Sequence, residues 1–272
     1  MSIEPVNSHR KREKGLLVYP VYSRRSGGLS VGINLFPERK CCSFDCPYCE
    51  VFPFETVYSF SLPLLETALS EALSDARKNR IKVEDICFSG NGEPTQSPFF
   101  GSALEAAFRI RDRETPLADV VLITNGTGLL MEETFDLLRR SALKGLKIWL
   151  KLDAGTENWY RAMNRSAIPY EQLIEKIKAF VKCAPVILQT MICAVDGKEP
   201  PIEERQAWEA LLMDLASSAA ELMGIQIYGK ARPAPEDPLS EALPLSCLEE
   251  RADSLETALN RTGKRIPVHI YP

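Results

Sequence analysis

Apolar positions along the chain fall into two alternating patterns. Short runs with a period of two, 29–36 (LSVGINLF), 83–89 (VEDICFS), 119–125 (DVVLITN), 146–153 (LKIWLKLD), 186–193 (VILQTMIC) and 224–230 (GIQIYGK), read as strands. Segments with a helical period read as helices over 62–79, 98–112, 131–142, 170–182, 201–222 and 246–261. The last of these opens on Ser246 with Glu249 three residues on, the pattern of a capping box. A final short strand is expected at 267–271, and 37–57, 90–97, 154–169 and the proline-rich 231–244 read as loops.

Six strand–helix units in succession imply an α/β fold with parallel strands and right-handed crossovers. The pattern is compatible with an open doubly wound sheet and with a curved full or partial barrel. Six units are too few for the eight-unit barrel. No internal stretch rich in Gly, Ser or charge interrupts the series, so 1–272 is expected to be a single domain with its core at about 20–230.

The strand at 146–153 alternates in an unusual way. Leu146, Ile148, Leu150 and Leu152 share one face, and Lys147, Trp149, Lys151 and Asp153 share the other. Gln226, Tyr228 and Lys230 likewise fall together, as do Gln189, Met191 and Cys193. These rows predict a polar, partly basic cavity near the C-terminal strand ends, where ligands bind in such folds. A solvated row on an edge strand would give the same alternation.

Composition narrows the function classes. With 45% hydrophobic and 26% charged residues among 272, the chain can bury a full core. The 33 Lys+Arg against 37 Asp+Glu give a net charge of -4, which argues against a broad basic nucleic-acid surface. No apolar run is long enough to span a bilayer, and the N-terminal 15 residues lack a signal-peptide core, so no membrane association and a cytoplasmic location are expected. In that compartment eight cysteines are not expected to be disulfides. His9 and His269 are the only histidines, too few for His-rich metal sites.

The decisive local feature is Lys40–Cys41–Cys42–Ser43–Phe44–Asp45–Cys46–Pro47–Tyr48–Cys49. Cys42, Cys46 and Cys49 have the spacing C-x3-C-x2-C and put three thiols on one short loop. A structural zinc site wants a fourth ligand, and only Cys41, beside its neighbour, is near in sequence. A [4Fe-4S] cluster fits better: three cysteines hold three irons and leave the fourth iron open to a ligand. Cys87, Cys183, Cys193 and Cys247 form no second spacing motif. Cys193 is either an ordinary buried thiol or a hydrogen-atom donor facing the cavity.

The motif C-x3-C-x-aromatic-C resembles the signature of the radical S-adenosylmethionine enzymes. The resemblance covers roughly residues 20–230. It implies a partial (β/α)6 TIM-like barrel, and a [4Fe-4S] cluster held by Cys42, Cys46 and Cys49, whose open iron is chelated by the amino and carboxylate groups of S-adenosylmethionine. It places Tyr48 near the adenine. Ser89–Gly90–Asn91–Gly92–Glu93 is similar to the family's glycine–acid motif, which holds the cofactor's amino group. By the same resemblance Asn125 lies at the cofactor mouth, Lys151 serves the carboxylate and the catalytic group, and Asp153 serves the ribose hydroxyls. An ion pair between Lys151 and Asp153, or a turn-capping role for Asp153, are the plain structural readings of the same residues.

Two phrases, 20–34 and Asp153–Ala154–Gly155 with Trp159–Tyr160–Arg161–Ala162–Met163–Asn164–Arg165, are similar to a subgroup related to the wyosine-base synthases. Arg24 and Arg25 meet an anionic substrate or form a salt-bridged surface turn. Residues 1–40 contain no cysteine for the second cluster of those synthases, so a small-molecule, peptide or protein substrate is favoured over transfer RNA. The expected chemistry is reductive cleavage of S-adenosylmethionine to a 5'-deoxyadenosyl radical, with an external flavodoxin- or ferredoxin-like one-electron donor. A non-catalytic iron–sulfur protein, structural or redox-sensing, is the alternative.

Overall fold

The computed structural model describes residues 15–232, 234, 237 and 239–272. The chain packs as two compact units. One runs to Cys42 and takes in Val51–Thr124 and Lys144–Lys147; the other holds Ser43–Glu50, Asn125–Leu143 and Ile148–Pro272.

The first unit is built on β1 (Val18–Ser23), β2 (Gly28–Ile33), β3 (Val83–Phe88) and β4 (Asp119–Thr124), covered by α1 (Leu62–Lys78) and α2 (Phe100–Glu114). β1 and β2 form an antiparallel hairpin with Val18 opposite Ile33; β2, β3 and β4 pair in parallel. From its second residue on, β2 is buried at every position, as a strand covered on both faces must be. Its one hydroxyl, Ser30, donates to the buried Asp85 carboxylate of β3. α1 turns Leu65, Leu69, Leu73 and Ala76 inward, one residue per turn.

The second unit carries α3 (Glu132–Ala142), β5 (Leu146–Lys151) from Ile148 onward, α4 (Glu157–Met163), α5 (Tyr170–Val181), β6 (Val186–Ile192), β7 (Ala194–Val195), α6 (Ile202–Ser218), β8 (Leu222–Gly229), β9 (Ser240–Glu241), α7 (Leu245–Arg261) and β10 (Val268–Tyr271). β5, β6, β8 and β10 pair in parallel, and β7 pairs with β9 antiparallel. The register sets Lys151, Gln189 and Gln226 side by side, and one step further Met191 beside Tyr228. Gln189 is 0% and Gln226 4% exposed, so this polar row is interior and the solvated-edge alternative falls.

The six expected strand–helix repeats are all present, and the departures have local causes. β1 escaped the strand pattern because Pro20 interrupts VYPVYS; proline is tolerated there because β1 pairs on one side only within its unit. α4 lies inside an expected loop. Thr156 caps it by accepting from the Trp159 N–H at 3.2 Å, with no acidic residue completing the pattern. α6 stops at Ser218, not at 222. Ser217 and Ser218 turn their hydroxyls back onto the Asp214 carbonyl, and the Lys264 ammonium caps the Ala216 and Ser217 carbonyls, so the last turn is sealed early. The capping box at Ser246 is not formed: α7 starts one residue sooner, with Pro244 at the cap and no side-chain cap bond.

One backbone contact of the first unit bears directly on the cysteine loop. Cys41 forms a parallel bridge with Gly92: its N–H donates to Asn91 O at 3.1 Å and its carbonyl accepts from Glu93 N at 2.8 Å. A Cβ on Gly92 would stand 1.8 Å from the Cys41 carbonyl oxygen. The Gly92→Ala substitution is therefore expected to push the two segments apart at a cost of about 1–3 kcal/mol. Urea denaturation should show a lower midpoint at unchanged slope.

Candidate active site

In the first unit the segment Ser89–Glu93 follows β3 and is held from several sides. Ser89 shares a 2.7 Å hydrogen bond with the Tyr19 hydroxyl. Gly90 has φ of +118°, a conformation that only glycine adopts without strain. Asn91 donates its side-chain amide to the Phe36 carbonyl at 3.1 Å, and its backbone N–H reaches Asn34 Oδ1 at 3.2 Å. Glu93 is buried; its Oε1 accepts from Thr95 N, Thr95 Oγ1 and Thr124 Oγ1 at 3.2, 2.6 and 2.7 Å. A carboxylate so oriented presents a fixed negative edge to an ammonium.

In the second unit the loop Ser43–Glu50 is tied down at almost every residue. Ser43 Oγ lies 2.8 Å from Thr127 Oγ1 and accepts from Asn125 Nδ2 at 3.3 Å, while its carbonyl accepts from Ser166 Oγ at 3.0 Å. Asp45 N donates to the Asn164 carbonyl at 2.9 Å. The Pro47 carbonyl accepts from Ser240 Oγ at 2.7 Å, and Glu50 pairs with Arg232 at 2.9 Å. Cys49 N closes a tight turn onto Cys46 O at 3.0 Å. Tyr48 packs with Met163, Met191, Cys193 and Val195 in a buried cluster against which Cys46, Trp159 and Tyr228 are set.

At the end of β5 the Asp153 side chain is fully buried. Its Oδ1 accepts from Met191 N at 2.9 Å; its Oδ2 accepts from the Tyr48 hydroxyl and, at 3.0 Å, from Asn164 Nδ2. Lys151 Nζ lies 3.4 Å from the same oxygen, donates to the Tyr228 hydroxyl, and stands 4.7 and 5.2 Å from the Tyr48 and Tyr228 ring centres. Burial works against the Lys151 ammonium, but Asp153 and the Tyr228 oxygen outweigh it and raise its pKa. Burial and the Asp153 charge push the Tyr48 phenol up as well, so Tyr48 stays neutral and donates. Burial also pushes the Cys46 thiol up to about 11, with Lys151 pulling the other way.

The donor chemistry suits a cluster held by three thiols. None of the eight cysteines is in a disulfide. Among the described residues no three cysteine, histidine or carboxylate side chains already converge as metal ligands. The loop therefore offers the right atoms on a fixed backbone, with the thiols still to be drawn together.

A sequence profile of the Radical SAM superfamily matches residues 40–200, more than half of the chain. The chain belongs to the radical SAM superfamily. It is 29% identical over 178 residues to a UPF0026 protein of Synechocystis, covering 64% of this chain and 63% of that protein. Across the curated relatives it matches, the chain spans from 22% to 63% of their length. Two solved structures share its fold. Streptococcus suis SuiB bound to precursor peptide SuiA has a TM-score of 0.63 at 12% identity, over 85% of this chain and 46% of that one. A radical SAM methyltransferase from Sphaerobacter thermophilus has a TM-score of 0.60 at 15% identity, over 93% of this chain and 68% of that one. The fold is the mixed α/β, partial (β/α)6 core of this superfamily. Among the described residues no helix is long and apolar enough to cross a membrane.

Within this radical SAM core Tyr48, Lys151 and Asp153 come together, and Asn125 anchors the same cysteine loop. Both Asp153 oxygens accept from protein donors, and Lys151 pairs with one of them. Sequence reading assigned no role to Asn164, which sits in a quoted phrase, or to Ser43, Thr127 and Ser240, small polar residues without a spacing signal. Removing the Asp153 carboxylate strands a buried ammonium and two N–H groups. Asp153→Ala is expected to lose about 3–5 kcal/mol in urea denaturation, and pairing it with Lys151→Met is expected to recover part of that loss.

Proposed function

We propose that this protein is a radical SAM enzyme in which Cys42, Cys46 and Cys49 hold a [4Fe-4S] cluster and S-adenosylmethionine binds beside it. The observation that carries the reading is the cysteine loop itself: three thiols outside any disulfide on eight residues, inside the span matched by the superfamily profile, on a backbone anchored by Asn125, Ser166, Ser240 and the Asn164 carbonyl. When bound, the cluster supplies the electron that breaks the sulfonium bond, giving methionine and a 5'-deoxyadenosyl radical that takes a hydrogen atom from the substrate.

The chain's residues bind and orient. Lys151 provides the cation for the methionyl carboxylate, and Asp153 positions it through the 3.4 Å contact. Glu93, fixed by Thr95 and Thr124, meets the ammonium. Tyr48 lies against the adenine, and Met163, Met191 and Val195 keep water from the reacting atoms. An external flavodoxin- or ferredoxin-like protein delivers the electron. The substrate is a small molecule, peptide or protein; the net charge of -4 disfavours transfer RNA.

Anaerobic reconstitution with iron and sulfide, followed by dithionite and S-adenosylmethionine, should yield 5'-deoxyadenosine. Cys42→Ala, Cys46→Ala and Cys49→Ala are each expected to abolish it and to lower bound iron. Lys151→Ala is expected to raise the cofactor concentration needed for half-maximal cleavage roughly tenfold or more, as removal of a charged hydrogen bond does. Product at wild-type rates from any of the three cysteine variants would overturn the assignment. Tight, salt-dependent transfer-RNA binding would overturn the substrate class.

A further inference from the structure

Asn164 lies outside the cysteine motif and outside the cofactor-binding residues proposed above, yet its side chain touches both. Its Nδ2 donates to Asp153 Oδ2 at 3.0 Å and to Cys46 Sγ at 3.6 Å. Both partners are acceptors, a carboxylate on one side and a sulfur on the other, so the amide can present only its NH2 group to them. The residue is 2% exposed.

The backbone holds Asn164 where it is. It ends α4, with its own N–H bound to the Tyr160 carbonyl at 2.8 Å and its carbonyl taken by the Asp45 N–H at 2.9 Å. The next residue, Arg165, has φ of +45°, a left-handed conformation unusual for a side-chain-bearing residue, and it turns the chain sharply away. Arg165 is itself tied by its guanidinium to Asp237. Nothing in this arrangement depends on the Asn164 side chain for its backbone bonds; the amide's own bonds go to Asp153 and Cys46.

A hydrogen bond to a cluster sulfur draws electron density from the metal centre and favours the reduced, more negative state. Through these two bonds Asn164 joins the sulfur of a motif cysteine to the carboxylate that sets Lys151 and Tyr48. We propose that Asn164 is a positioning residue that raises the reduction potential of the cluster through its N–H···S bond to Cys46, and so brings the cluster within reach of its one-electron donor. This rests on the assignment of Cys46 as a cluster ligand.

The test is an EPR-monitored redox titration of the reconstituted protein, with iron and sulfide counted alongside. Asn164→Ala removes the donor, and Asn164→Asp replaces it with a negative charge. At full cluster loading, the midpoint is expected to move to more negative potential in the alanine variant and further in the aspartate variant. Midpoints equal to wild type in both would overturn the proposal while leaving the cluster assignment standing. A wild-type protein that takes up no iron and sulfide would instead overturn the assignment beneath it. Should either substitution prevent folding, the wild-type protein carries its own readout. With 15N-labelled asparagine, pulsed EPR of the reduced cluster should detect coupling to a side-chain amide nitrogen. Its absence overturns the proposal.

Discussion

The arrangement of the second unit depends on one buried carboxylate. An ionised Asp153 with no exposed side-chain surface would be prohibitively costly unless most of its lone pairs were met. They are met by a backbone N–H, a phenol, an amide and an ammonium, from β6, the cysteine loop, the end of α4 and β5 respectively. Each donor comes from a different segment. The cost of leaving the carboxylate unmet is what brings those segments to one point. Tyr48, and with it the centre of the cysteine loop, is held at its hydroxyl by that carboxylate.

The same loop shows how a segment without regular structure is given a single conformation. Within it, Cys49 N closes a turn onto Cys46 O. The remaining order is imported through side chains of Asn125, Ser166, Ser240 and Arg232, each satisfying a backbone or side-chain group that would otherwise be left wanting. Under the proposed reading, this frame is what would carry the thiols of the cluster.

Much of the core was legible in the chain because buried parallel strands and amphipathic helices carry strong periodic signals. The six repeats of β2–α1 to β8–α7 follow from them directly. What escaped was governed by single bonds. Pro20 hid β1, Thr156 started a helix of seven residues, and Lys264, distant in sequence, ended α6. The site divides in the same way. The cysteines and the glycine–acid segment announce themselves by spacing, whereas Asn164 and Ser240 matter through partners 118 and 193 residues away in sequence, which no local pattern encodes.

Under the proposed reading, the unequal sharing of bonds between Lys151 and Asp153 would let a buried ion pair also serve a ligand. Asp153 has three other donors, so it remains satisfied if the ammonium turns elsewhere. Lys151 is 15% exposed at its side chain where Asp153 is fully enclosed, so the lysine is the more open member of the pair. Its contacts with the two tyrosine rings stabilise the positive charge without consuming a fixed direction. An incoming carboxylate would need only to compete with one long contact and one phenol. The cation is held in place and charged, and the acid beside it is already satisfied by others.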